Sequence, residues 1–207
     1  IFGGTDHILF LLALLLAAPL ARRRGAGATT VTPGEISPGE GLSAPLALES
    51  GWRPGLVYLL KIVSTFTVAH SLTLAASGLG WVHLPSKLVE SVIAASILWV
   101  ALENMVLPSS RYRVALVFVF GLAHGFGFAD VLAETGLPPA ALVGALLSFN
   151  LGVEVGQLMI VGLAFPMIIL MARVWAARGW SYRWVLRGGS AVVAVCGAYW
   201  LVTRLWA

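Results

Sequence analysis

The 24-residue run LVYLLKIVSTFTVAHSLTLAASGL, residues 56–79, decides the fold. As an α-helix it extends about 36 Å, enough to cross the roughly 30 Å hydrocarbon core of a bilayer. Only Lys61 and His70 interrupt it with ionisable groups. A lysine near a helix end can reach the interface with its long stem. His70 lies well inside, and a buried imidazole in a membrane span is costly unless it has work to do.

Similar runs follow on both sides. The remaining expected spans cover residues 2–20, 87–107, 114–133, 140–175 and 188–207. The stretch at 140–175 is too long for one upright crossing. It must tilt, kink near Pro166 or begin as a partly re-entrant piece. The reading is an all-α integral membrane protein, a bundle of about six transmembrane helices in a single domain over residues 1–207. Composition agrees: 59% of the 207 residues are hydrophobic, 11% are charged and the mean hydropathy is +0.92. A soluble domain carries about 25% charged residues, so the bilayer is the solvent that fits this chain. The net charge of +4 does not point to nucleic acid, because the arginines lie in short connections between apolar runs. The single cysteine, Cys196, excludes an intrachain disulfide and reads as a small buried apolar residue.

Basic connections alternate with non-basic ones. Arg22, Arg23, Arg24 and Arg53 flank the first, Arg111 and Arg113 occupy the third, and Arg173, Arg178, Arg183 and Arg187 surround the fifth. The positive-inside rule then places both termini outside (N-out/C-out) in the bacterial cytoplasmic, or inner, membrane. Residues 21–55, rich in Gly, Pro, Ser, Thr and Glu, read as a flexible cytoplasmic loop. Because Ile1 opens inside an apolar run, an upstream extracellular region is expected to precede it. Two GxxxG patterns, Gly121–Gly125 and Gly152–Gly156, read first as tight intramolecular packing and second as a dimer face.

The polar residues inside the apolar runs are the functional candidates. Asp6, His7, His70, His124 and Glu154 form the candidate metal set, because imidazole with carboxylate suits first-row divalent ions. Ser71, Glu90, Glu103, Asn104, Asp130, Asn150 and Gln157 are the supporting polar residues. Asn150, Glu154 and Gln157 fall on one helical stripe. Ser71, Asn150 or Glu154 could orient a ligating histidine through its second nitrogen. Each has a structural alternative. Asp6 and His7 suit an interfacial helix start, Glu90 suits the helix dipole, and Glu103 with Asn104 suits pairing to Arg111 or Arg113.

Five segments resemble the HupE/UreJ family of membrane accessory proteins. They are Gly4-Thr5-Asp6-His7, the FTVAHSLTL of residues 66–74, Ala101-Leu102-Glu103-Asn104 following Val89-Glu90, the FGLAHGFGFA of residues 120–129, and the FNLGVEVGQ of residues 149–157. The resemblance implies a secondary permease for a divalent transition metal, nickel foremost or cobalt; the imidazole and carboxylate donors suit zinc as well. The resemblance also implies nickel hydrogenase and urease systems as its setting. Two alternatives stand beside it. One is an intramembrane zinc-dependent hydrolase with Glu154 or Asp6 as general base. The other is a non-transporting subunit or receptor in a larger membrane complex. The transporter reading makes the chain a non-enzyme whose partners are the lipid bilayer, the metal ion and a possible homo-oligomer or membrane complex.

Overall fold

The computed structural model describes residues 4–18, 53–106, 112–128 and 138–206. The described residues form six helices: α1 (Thr5–Ala17), α2 (Arg53–Gly78), α3 (Ser86–Val106), α4 (Arg113–Phe126), α5 (Pro139–Ala177) and α6 (Tyr182–Trp206). No strand occurs among them. Four, α2, α3, α5 and α6, are long and apolar enough to cross a membrane. The expected loop at 21–55 and Asp130 fall almost entirely or entirely outside the described residues.

Of the expected first and fourth spans, residues 2–3, 19–20 and 129–133 lie outside the described residues. With 13 and 14 residues, α1 and α4 extend about 20 Å each. The long fifth stretch is neither re-entrant nor divided. It is one 39-residue helix with Pro166 inside it, extending about 58 Å. Pro138 in extended geometry and Pro139 in the first turn start it, where the missing N–H has no helical partner to lose.

Two helix stops are written in glycine. At the end of α2, Gly80 takes φ +74°, its N–H bonds to Ser77 O, and the Trp81 N–H bonds to Ala76 O. At the end of α5, Gly179 takes φ +76°, with Gly179 N–H to Ala176 O and Trp180 N–H to Trp175 O. Both are Schellman closures, which need a left-handed residue that glycine supplies without a Cβ clash. They reverse the chain sharply, and the helices then pack chiefly as α3 on α6 and α2 on α4.

Lipid gives helices no hydrophobic reason to associate, so close packing and buried hydrogen bonds must hold the bundle. The tightest approach joins α2 and α4 through the first GxxxG. A Cβ at Gly121 would lie 2.9 Å from Ala69 Cβ, and one at Gly125 would overlap Thr73 Oγ1 and the His70 carbonyl. This motif is therefore an intramolecular contact. Gly152 and Gly156 meet nothing within 4 Å. Helix α1 threads the middle of the bundle, with Phe10, Leu11, Ala13, Leu14, Leu15 and Ala17 all buried. Its far end is pinned by Asn104 Nδ2–H donating to Ala13 O at 2.6 Å and Tyr182 O–H donating to Leu16 O at 2.7 Å.

These contacts define two ends. One holds the start of α2 and α4, the end of α3 and α5, and the start of α6, with Arg53, Arg113, Arg178, Arg183 and Arg187 among its residues. The other gathers the start of α1 and α3 with the end of α2, α4 and α6. The large apolar side chains left exposed, such as Leu147, Leu163 and Leu170 on α5 and Val192 and Val195 on α6, face the lipid of a multi-pass membrane protein. Trp81, Trp180, Trp184 and Trp206 sit exposed at helix ends, the level at which interfacial tryptophans are enriched.

Candidate metal centre

Three imidazoles meet at the second end. His7 enters from the first turn of α1, His70 from the last third of α2, and His124 from the last turn of α4. The His7 ring centroid lies 5.3 Å from that of His70 and 5.0 Å from that of His124, both edge-on. His70 and His124 are fully buried. The helix periods bring them together because α2 and α4 touch at Gly121 and Gly125, one residue from His124. Phenylalanines close the surroundings: Phe66 stacks on His70 at 5.8 Å, Phe10 lies 4.9 Å from His124, and Phe128 lies 5.6 Å from His7.

The hydrogen bonds decide which nitrogen of each buried ring carries the proton. Asn150 Nδ2–H donates to Leu146 O at 2.9 Å, which turns its Oδ1 toward His70. That oxygen can only accept, so His70 Nδ1–H donates to it at 3.3 Å. Likewise His124 Nδ1–H donates to the Phe120 carbonyl at 2.8 Å. In both neutral rings the lone pair is therefore on Nε2. Both Nε2 atoms are buried without a hydrogen-bond partner among the described residues. Most buried polar atoms in native proteins are paired, so two such nitrogens in one layer call for a function. An Nδ1–H fixed on an oxygen with Nε2 left open is the arrangement of a metal-ligating histidine. Among the described residues, no group of three or more His, Cys, Asp or Glu side chains is placed to hold an ion as it stands.

The other expected site residues divide. Asn150 supplies the orienting oxygen for His70, and Ser71 does not: its hydroxyl donates to Thr67 O at 2.7 Å within α2. Gln157 accepts from Thr67 Oγ1–H at 3.4 Å and so ties α5 to α2. Glu154 is half-buried and makes no hydrogen bond or ion pair among the described residues. Asp6 precedes His7 but pairs with Arg204 at 3.4 Å, and Glu90 pairs with the same arginine at 2.9 Å. Glu103 pairs with buried Arg113 at 3.2 Å, and Asn104 holds α1. Both lie at the basic end, away from the imidazoles. Arg204 is the residue the sequence reading passed over. Its signal was a lone cation near the end of the last span, at the level where Asp6 and Glu90 begin theirs.

A cleft of about 480 Å³ runs between α1 and α5 and reaches His7, lined mainly by apolar groups with Gln157, Gly152 and Gly156. Apolar helices of membrane length, packed around a buried imidazole layer, define a multi-pass membrane protein. The family profile described as HupE / UreJ protein matches residues 1–204. The chain belongs to that family, which is associated with nickel and cobalt uptake for hydrogenase and urease. Comparison with curated proteins and with solved structures finds no match.

Proposed function

We propose that the protein is a secondary permease for a divalent transition-metal cation, with nickel as the cargo and the His7, His70 and His124 layer as its binding site. The observation that carries this reading is the pair of open, buried Nε2 atoms on His70 and His124, each opposite an anchored Nδ1–H. Ring spacing supports it. Two imidazoles on one ion, with metal–nitrogen bonds of about 2.1 Å, have centroids roughly 4.5–5.5 Å apart, and the two spacings around His7 fall in that range. Imidazole suits nickel, cobalt and zinc alike, and the family association favours nickel. Asp6 and Glu154 are the carboxylates near enough in sequence and depth to complete or relay the ion as the helices shift.

The arginine-rich end is the cytoplasmic one by the positive-inside rule, in the inner membrane of a bacterium. The histidine layer then faces the outside, and the cation enters there. The test is Ni²⁺ uptake into proteoliposomes holding the full chain, compared with His70→Ala. Uptake that the variant loses supports the permease. Uptake equal in both would remove His70 from the path, and no uptake by a folded, metal-retaining protein would turn the assignment to a hydrolase or accessory role.

A further inference from the structure

Arg204, near the end of α6, stands between two carboxylates from two other helices. Its Nε–H donates to Glu90 Oε2 at 2.9 Å, and its Nη2–H donates to Asp6 Oδ2 at 3.4 Å. The two partners differ in setting. The Glu90 side chain is 49% exposed and that of Asp6 only 8%. The second oxygen of Asp6, Oδ1, is buried with no hydrogen-bond partner among the described residues, as is Arg204 Nη1. The guanidinium also lies 5.7 Å from the centroid of the Trp200 ring, within cation–π reach. Glu90 and Trp200 therefore hold Arg204 in place, while its grip on Asp6 is long and engages one oxygen. Two carboxylates against one guanidinium leave an excess negative charge next to His7.

We infer that Arg204 is a positioning residue for the cargo: it holds Asp6 while the imidazole layer is empty and yields that carboxylate to an arriving divalent cation, keeping Glu90. The inference rests on the permease reading. A buried carboxylate with no counter-charge is strongly destabilising, so Asp6 needs a cation before the cargo arrives. A permanent partner would block it as a ligand. A guanidinium with a second carboxylate at a better distance satisfies both conditions, because releasing Asp6 does not strand the arginine. Only ion pairs are exchanged, and no proton or covalent bond has to move.

The test is titration of the full chain in lipid nanodiscs with Co²⁺, read by its visible absorption and by calorimetry. Arg204→Gln removes the competitor and should tighten Co²⁺ binding about tenfold, a coupling of about 1.4 kcal/mol. In an Asp6→Asn background the same substitution should change nothing. Glu90→Gln leaves Asp6 as the only carboxylate on Arg204 and should weaken binding about tenfold. An arginine that only braces the helices predicts weaker binding for Arg204→Gln in both backgrounds and no effect of Glu90→Gln, which would overturn the inference. If Arg204→Gln does not fold, the exposed Glu90→Gln decides alone, and unchanged or tighter binding refutes it. Wild-type protein that binds no Co²⁺ overturns the permease reading along with this one. Binding that His124→Ala abolishes, but that neither Arg204→Gln nor Glu90→Gln alters, overturns this inference only.

Discussion

Gly125→Ala is the sharpest probe of how the imidazole layer is built. The added methyl would occupy the space of Thr73 Oγ1 and of the His70 carbonyl. The hydroxyl can rotate aside, but a helical carbonyl cannot without breaking its own ladder. Helices α2 and α4 must therefore part by about an ångström, with a stability cost of about 1–3 kcal/mol for an overpacked contact. Because Gly125 adjoins His124 and touches the backbone of His70, the displacement falls on the two buried ligand candidates. A misplacement of that size can cost about a hundredfold where geometry matters, so Co²⁺ affinity should fall between tenfold and a hundredfold. The assay pairs a thermal melt in detergent with a Co²⁺ titration, and Gly144→Ala is the control. Gly144 also lies in a helix but meets nothing within 4 Å, so alanine there should be neutral or slightly stabilising. A Gly125→Ala protein that melts and binds like the wild type would refute the claim that this contact sets the layer.

Arg113→Ala should destabilise the bundle by about 3–5 kcal/mol by stranding Glu103, and the double variant Glu103→Ala/Arg113→Ala should recover part of that loss in a melt. Asn150→Ala removes the acceptor that orients His70 and should weaken metal binding about 10–100-fold, with a stability loss of about 1–3 kcal/mol from the stranded Nδ1–H; equal affinity would mean His70 needs no such brace. Metal affinity should fall on acidification, because neutral imidazole is the ligand form and protons compete for Nε2. Titration at several pH values checks this, and affinity that rises on acidification would exclude the histidines as ligands.

Much of this arrangement could be read from residue order alone. Apolar runs of membrane length announced α2, α3, α5 and α6, and alternate crossing put His7, His70 and His124 at one depth. The Glu103–Arg113 pair was legible because both flank the same short connection. What the sequence could not carry was helix rotation. Asn150, Glu154 and Gln157 share a stripe, yet Asn150 and Gln157 bond to α2 while Glu154 does not, and a few tens of degrees decide that. Asp6 adjoins His7 in sequence, but the cation it pairs with, Arg204, is nearly two hundred positions away, where no local pattern connects them.

The depth of the imidazole layer has an electrical consequence. From His7 to the end of α1, and from His124 back to the start of α4, is about 15 Å, half the thickness of the hydrocarbon core. In a permease oriented as proposed, an ion at the imidazole layer has already passed part of the low-dielectric slab, and roughly half the transmembrane voltage remains ahead of it. A doubly charged cargo crossing that remainder gains about 2.3 kcal/mol for each 100 mV of inside-negative potential. The resting voltage of the cell would thus supply a substantial part of the drive for accumulation.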